Sequence, residues 1–188
     1  MAIFVGFIVF IVILVTLFSH GGKKPIVTNP VQPLPNYAST DATVSLTTDG
    51  IVNGDDIHRQ IRITVSSTQR TLDILQGYNG TVINTKNFEN NQEAYLVFLK
   101  ALNYSGFLAK NKSNVPSDER GECPLGFRYV FDLNSDTGDL SRLWTSSCGI
   151  GNWGGALDTV QTLFQDQITD YSTLTESVDL QATGTNSD

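Results

Sequence analysis

The first hydrophobic feature is an uninterrupted apolar run from Ala2 to Phe18 that contains no charged residue and one hydroxyl. With Met1 and Ser19 it approaches the ~20 residues that a helix needs to cross the hydrocarbon core of a membrane. A cleavable signal peptide would have basic residues before a shorter apolar run and a small-residue cleavage site after it, and neither is present. We therefore predict a retained transmembrane anchor over residues 1–19.

Hydrophobic periodicity is absent from two further segments. Residues 20–41 contain four of the chain's six prolines, which predicts an extended, Pro-rich stalk. Residues 175–188 are polar and acidic without an apolar period, which predicts a disordered tail. Between them, residues 42–174 are long enough to bury a hydrophobic core of their own.

Apolar and polar residues alternate in the first half of this domain. The pattern is strongest at Ile57, Ile61, Ile63 and Val65, which are separated by polar residues as in a half-buried strand. Similar short segments follow Val44, surround Leu72, begin at Thr81 and flank the turn near Asp136. These segments predict an antiparallel meander of five or six strands.

Two segments have helical periodicity instead. Asn90 and Glu93 have the spacing of a capping box, and an apolar stripe from Ala94 to Leu102 follows them. Gly106 lies where a left-handed C-terminal cap is expected. A second helix is predicted over about 157–168. The fold class is therefore α+β, with an N-terminal transmembrane helix followed by a small domain in which two helices pack on one face of the meander.

The charge excludes one class of partner. The net charge is -7, and setting aside Lys23 and Lys24 leaves 10 basic against 19 acidic residues, or -9 for the rest of the chain. Nucleic-acid binding needs a clustered basic surface. We therefore predict no nucleic-acid partner.

Cys123 and Cys148 are the only cysteines. They lie symmetrically about the predicted turn at Asp136, so they are expected to face each other across a hairpin and to form a disulfide. The alternative is two buried free thiols in a cytosolic protein. Lys23 and Lys24 after the anchor would favour a cytoplasmic domain, whereas a disulfide favours an extracytoplasmic one. We give the disulfide more weight and predict the extracytoplasmic side of the cell membrane.

One candidate binding surface is aromatic. Trp153 follows the glycine-rich segment at Gly149, and Trp144 and Tyr129 lie nearby on the predicted hairpin. An exposed indole on such a loop would provide a flat anchor for a protein or sugar. The competing interpretation is that at least one tryptophan belongs to the core.

Other motifs favour ordinary structure over chemistry. The segment from Asp132 to Asp139 has the first oxygen ligands of a calcium loop but lacks its glycine and its final glutamate, so we interpret it as a hairpin turn. Asp118 and Glu119 are adjacent carboxylates that we expect to point into solvent rather than to act as an acid–base pair. We predict no catalytic residue, metal or cofactor.

Several stretches together resemble a known group of proteins: DDIHRQIRITVSSTQRTLDILQGYNGTV, NNQEAYLVFLKALNYSGF, DERGECPLGFRYVF and SRLWTSSCG, the last before a helix led by two glycines and ending in QDQITDY. The group consists of uncharacterised membrane-anchored exported proteins of ultrasmall bacteria of the candidate phyla radiation, Saccharibacteria in particular. The resemblance covers nearly the whole chain after the stalk. It implies one anchor and one exported domain with the Cys123–Cys148 pair, and it brings no catalytic residues.

These observations favour a non-enzymatic binding or envelope-interaction module in the bacterial cell envelope. Its expected partners are the lipid bilayer, through Ala2 to Phe18, and an envelope or cell-surface protein or glycan. A fainter likeness, at the level of fold, is to emfourin-type protease inhibitors, so an envelope protease inhibitor is the alternative function. A hydrolase with an unrecognised site is the third.

Overall fold

The structure is a computed structural model that describes residues 31–111 and 115–182. The predicted anchor lies outside these residues. The described elements are a short 3-10 helix (Leu34–Tyr37), β1 (Thr43–Asp49), β2 (Arg59–Val65), β3 (Gln69–Gln76), β4 (Thr81–Glu89), α1 (Gln92–Tyr104), β5 (Arg128–Ser135), β6 (Gly138–Ser146), α2 (Leu157–Gln165) and α3 (Tyr171–Thr175).

The strands form one antiparallel sheet of six strands in the order β4-β3-β2-β1-β5-β6. The α+β class and the six strands are as predicted, but the connection is not a simple meander. After β4 the chain passes through α1 and returns to place β5 beside β1, with Leu46 opposite Ile63 on one side and Phe131 on the other. The first strand of the chain is therefore central in the sheet.

The apolar positions of the strands face a single core. Val44, Leu46, Ile63, Phe131 and Leu133 are all buried, and they belong to one cluster with side chains from α1 and α2. Phe98 of α1 and Phe164 of α2 meet edge to face with ring centroids 5.2 Å apart. The helices thus cover one face of the sheet, which leaves the alternate side chains of each strand on the other face.

The first helix begins one residue later than predicted. The side chain of Asn91, rather than Asn90, accepts a hydrogen bond of 2.9 Å from the backbone N–H of Ala94. Asn90 instead donates its side-chain amide to the carbonyl of Ser66 at 2.5 Å, which ties the helix entry to the β2–β3 turn. Gly106 has a φ of +79° and ends the helix in the left-handed region as predicted.

The C-terminal part of the predicted stalk belongs to the folded domain. Leu34 is fully buried in the core beside Ala38, and its backbone N–H donates to Asn103 of α1 at 3.3 Å. The 3-10 helix turns the proline segment back against α1, so an extended stalk to residue 41 is wrong for residues 34–38. Residues 20–30 lie outside the described part.

The predicted disordered tail also differs from the structure. Val178 and Leu180 pack against the core, and the carbonyl of Leu180 accepts a hydrogen bond of 3.0 Å from the N–H of Ile51. Asn53 donates to the carbonyl of Ala182 at 2.7 Å. The isolated apolar residues of this segment have no period, which is why the sequence pattern missed the packing. Residues 183–188 are outside the described part.

Leu34→Ala tests whether the proline segment is part of the fold. We expect the free energy of unfolding to fall by about 3 kcal/mol, because the change leaves a cavity in a core that holds the side chain without exposure. Urea unfolding measures the loss. Val31→Ala, at a position 42% exposed, is the matched control and should change little, whereas equal small effects at both positions would contradict the docking.

Candidate functional site

The helix-free face of the sheet forms an open groove with a volume of about 420 Å³. Most of its lining residues have hydrogen-bonding side chains, and they come from β1, β2, β5, β6, the β3–β4 turn and the loop before β5. Typical members are Ser45, Thr47, Gln60, Thr64 and Asn134. These positions alternate with the core residues of the same strands, so the sheet itself holds them in place. We refer to this surface as the polar groove.

A buried carboxylate lies at one end of the polar groove. Asp49, the last residue of β1, accepts a hydrogen bond of 2.7 Å from Nε of Arg128 and lies 2.7 Å from Nε2 of His58. Arg128 and His58 are 1% and 0% exposed. The other ring nitrogen of His58 lies 3.1 Å from the carbonyl of Ile51. Asp49 thus joins the ends of β1, β2 and β5.

His58 is not available for chemistry on a ligand. It is fully buried, and the ring of Tyr78 stacks on it with centroids 4.1 Å apart. Tyr78 in turn donates its hydroxyl to the carbonyl of Asn53 at 2.9 Å. These contacts assign His58 to the structure of the groove rather than to a proton-transfer role, because a general base must reach its substrate.

A second charged cluster lies in the groove wall. Arg142 of β6 donates to Asp132 of β5 at 3.0 Å and to Oε1 of Glu119 at 2.6 Å. Burial raises the pKa of the Asp132 carboxyl, and Arg142 offsets part of that rise. Burial alone would lower the pKa of the Arg142 guanidinium, but the two carboxylates hold it above its ordinary value. Arg142 therefore stays charged.

Glu119 is the unusual member of this cluster. The expectation that it points into solvent is wrong, since the residue is 7% exposed. Its second oxygen, Oε2, is buried and accepts no hydrogen bond from any described residue. Its neighbour Asp118 does lie at the surface, where the guanidinium of Arg120 lowers the pKa of that carboxyl to about 2. Two adjacent carboxylates thus have opposite environments.

The loop that delivers Glu119 is held at several points. The predicted disulfide is confirmed: Cys123 and Cys148 are bonded, with Cα atoms 5.8 Å apart. Both lie beyond the ends of β5 and β6, so the bond joins two loops rather than opposite positions of the ladder. Pro116 accepts a hydrogen bond of 3.0 Å from the indole of Trp144. These ties fix the loop against the groove.

The three aromatic residues of the predicted binding surface lie in the interior of the domain. Trp153 is 4% exposed, Trp144 is 0% and Tyr129 is 9%. Trp153 stacks on Phe131 at 4.1 Å and donates its indole N–H to the carbonyl of Phe107 at 2.9 Å. Trp153 therefore belongs to the hydrophobic core, whereas Trp144 is buried against the loop before β5. An aromatic binding surface at these residues is not supported, because their faces are already packed.

The glycines before α2 explain why Trp153 is buried. A side chain at Gly155 would collide with the ring of Trp153 and with the carbonyl of Gly106. The glycine therefore permits a close approach of the α2 entry to the end of α1, with Trp153 between them. The glycine-rich segment therefore allows close packing around Trp153 and does not expose its indole.

No family model matches the chain, and no curated protein is significantly similar to it.

Two absences hold for the described residues. No helix in residues 31–111 or 115–182 is long and apolar enough to cross a membrane. Within the same ranges, no three side chains of the types that ligate metals come together as a cation site would require. In the hairpin whose acidic residues have the spacing of calcium ligands, the carboxylate of Asp132 accepts a hydrogen bond from Arg142.

The sequence pattern predicted the polar face of one strand, but it did not predict a groove. The alternation in β2 predicted a polar face with Gln60, Arg62 and Thr64 on it, and these residues do line the groove. It missed Glu119, because nothing in a loop sequence shows that one of two adjacent acids folds back onto a distant strand. The basic residue at Arg142, paired with Asp132 across the hairpin, was an available signal for a charged wall.

Removal of the disulfide should loosen the loop that delivers Glu119. For the Cys123→Ser/Cys148→Ser variant we expect a loss of about 3 kcal/mol in the free energy of unfolding, because the unfolded chain gains freedom. The tryptophan fluorescence, to which Trp144 and Trp153 both contribute, should shift to longer wavelength as the cover of Trp144 loosens. The comparison is with the parent protein before and after reduction, and an unchanged spectrum in both would contradict the role of the bond.

Asp49→Ala tests the buried network. The change leaves Arg128 and His58 without their carboxylate, so we expect the free energy of unfolding to fall by about 3–5 kcal/mol. Arg120→Ala removes an exposed ion pair and should leave the unfolding midpoint unchanged. Denaturant unfolding compares the two, and a loss below about 1 kcal/mol for Asp49→Ala would contradict a central role.

Proposed function

We propose that this domain is a non-enzymatic binding module that holds a polar ligand in the polar groove, displayed on the extracytoplasmic side of a membrane anchor. The observation on which the proposal depends is the groove itself, an open cavity of about 420 Å³ on a rigid sheet. Sites on strands are held more accurately than sites on loops, which suits recognition by directed hydrogen bonds.

The side chains of the groove favour a glycan as the ligand. Ser45, Thr47 and Thr64 have hydroxyls, and Gln60 and Asn134 have amides, so the surface both donates and accepts hydrogen bonds. Sugar hydroxyls also do both, whereas acyl chains and aromatic side chains need apolar walls. Val130 and Leu75 are the apolar residues among those that line the groove in the described chain. A polyhydroxylated ligand is therefore the best chemical match.

The location rests on two supports. Ala2 to Phe18 form the predicted anchor, and the Cys123–Cys148 disulfide is typical of an oxidising compartment. The lysines at positions 23 and 24 favour the opposite side, but the disulfide is the stronger argument because it is a feature of the folded domain. A glycan of the cell envelope is then within reach of the groove.

A hydrolase acting on the same ligand is the second candidate. Its support is that burial raises the pKa of Asp132 in the groove wall beside Glu119, an arrangement that also occurs in acid–base sites. Against it, Arg142 binds both carboxylates, which accounts for them as a structural ion cluster. A protease inhibitor has only the fold-level likeness in its support.

Thr47→Tyr tests the groove as a binding site. Thr47 is half-buried in the middle of the central strand and lines the groove, so a phenol there blocks the cavity. We expect the parent chain in detergent micelles to bind at least one of three probes with a Kd of about 1 mM or tighter: maltotetraose, the N-acetylglucosamine tetramer and the glucosamine tetramer. The variant should bind it at least about tenfold more weakly by calorimetry.

Thr81→Tyr is the matched control, because Thr81 is an exposed strand residue outside the groove. Its affinity should stay within about twofold of the parent value. Gln60→Ala is a second groove variant that removes hydrogen bonds without adding bulk. Binding of none of the tetramers, or equal loss at both threonines, would refute the proposal, and chromatographic detection of cleaved sugars would favour the hydrolase.

A further inference from the structure

Glu119 has one oxygen without a partner among the described residues. Oε1 accepts from Arg142 at 2.6 Å, whereas Oε2 is buried and accepts nothing from residues 31–111 or 115–182. The residue is 7% exposed and is part of the groove wall. Buried carboxylate oxygens are nearly always hydrogen-bonded, so an exception in a cavity wall is an unsatisfied acceptor that a ligand with a donor group would satisfy.

The charge around Glu119 is also incomplete. Arg142 supplies one positive charge to two carboxylates, Glu119 and Asp132. The other arginine among the described residues that line the groove, Arg62, is paired with Asp73 at 3.1 Å. One negative charge therefore remains at the Glu119 end of the groove. The unpartnered oxygen and the excess negative charge therefore occur in the same cluster of Arg142, Glu119 and Asp132.

We propose that the Glu119 end of the polar groove binds the protonated amine of an amino sugar. This inference rests on the proposed function and names the chemical class of its ligand. An ammonium group offers three donors and no acceptor, so it satisfies Oε2 and neutralises the remaining charge together. The hydroxyls of the same sugar then face the hydroxyl and amide side chains of the groove.

Oε2 is itself buried, so a ligand reaches it only after a neighbouring side chain moves, and Arg142 is the most exposed member of the cluster. Its side chain is 46% exposed, whereas those of Glu119 and Asp132 are 9% and 16% exposed. The guanidinium is therefore the part of the cluster that is in contact with solvent. It donates to Asp132 through Nη1 and to Glu119 through Nη2, so binding at Glu119 requires Nη2 to move away while Nη1 keeps its contact with Asp132. The amine then donates to Oε2, which has no partner among the described residues, and to Oε1 in place of Nη2.

Other ligands fit this end of the groove less well. A phosphate or carboxylate would meet the excess negative charge without compensation. A divalent cation would need several oxygen ligands, and the described residues provide no group of three. A neutral hydroxyl could donate to Oε2 but would leave the charge. The combination favours a cationic donor on a polyhydroxylated frame.

The test compares two tetramers that differ mainly at the nitrogen. The glucosamine tetramer has free amines, which are protonated in mildly acidic buffer, and the N-acetylglucosamine tetramer has neutral amides. We expect the full chain in detergent micelles to bind the glucosamine tetramer about tenfold more tightly, as a charge-assisted hydrogen bond predicts. Glu119→Gln should reduce that preference to about twofold or less, because the amide keeps the size of the side chain but removes its charge.

Asp136→Asn is the matched control for long-range attraction. Asp136 is exposed in the β5–β6 turn and does not line the groove, and its substitution changes the net charge by the same amount. It should leave the preference unchanged. The unfolding midpoint gives a second readout, since the glucosamine tetramer should raise it in the parent chain and much less in Glu119→Gln.

Each outcome decides the matter. Equal affinity for the two tetramers would overturn the amine inference but leave the glycan-binding proposal standing, and no binding of any tetramer would remove both. If Asp136→Asn weakens the preference for the glucosamine tetramer as much as Glu119→Gln does, the preference comes from the net charge of the protein and not from Glu119. If the tripeptide Gly-Lys-Gly binds in a Glu119-dependent manner and the glucosamine tetramer does not, the ligand is a peptide amine and the sugar assignment is wrong.

Discussion

The fold depends on how one buried carboxylate, that of Asp49, is satisfied at the end of the central strand. It accepts from Arg128 at 2.7 Å and lies 2.7 Å from a ring nitrogen of His58, and all three residues are buried. An uncompensated charge in that position would be costly, so the three residues require one another. Because they belong to β1, β5 and the entry to β2, their association specifies which strands flank β1. The returning connection from α1 to β5 therefore ends where a matching arginine meets the carboxylate.

The same network supports the loop that frames the polar groove, and it lies next to the C-terminal segment of the described chain. Arg128 reaches the carbonyl of Glu122 at 3.4 Å, in the loop that the disulfide fixes at Cys123. The residues after Asp49 in turn accept the C-terminal segment, where Ile51 bonds to Leu180. The helices bury one face of the sheet, and these loop contacts shape the other. Ion pairs and the disulfide therefore hold the groove side of the sheet in place. The opposite side is held by the burial of apolar side chains under the helices.

Local patterns in the sequence were enough for the strands, the two main helices and the cysteine pair, because each has a period or a symmetry. They were insufficient wherever a single residue decides the packing. Leu34 lies between prolines and has no periodic neighbours, so its segment was predicted to be a stalk although the side chain is fully buried. Trp153 follows glycines that are typical of an exposed loop, but Gly155 leaves room for its ring against the helix entry. Such contacts depend on distant elements, which a sequence window does not contain.

Asp49 and Glu119 are informative when compared within the same molecule. Both are buried acids on the groove side of the sheet. Asp49 has a partner for each oxygen, which demonstrates that this fold can satisfy a buried carboxylate fully. Glu119 has a partner for Oε1 and none for Oε2 within the described residues. If stability alone mattered, the fold would gain free energy either from a hydrogen-bond donor to Oε2 of Glu119 or from replacement of Glu119 by an apolar residue. Deviations of this kind from local satisfaction concentrate at functional sites, so the difference between the two acids is itself the argument that the wall at Glu119 is arranged for a ligand rather than for stability.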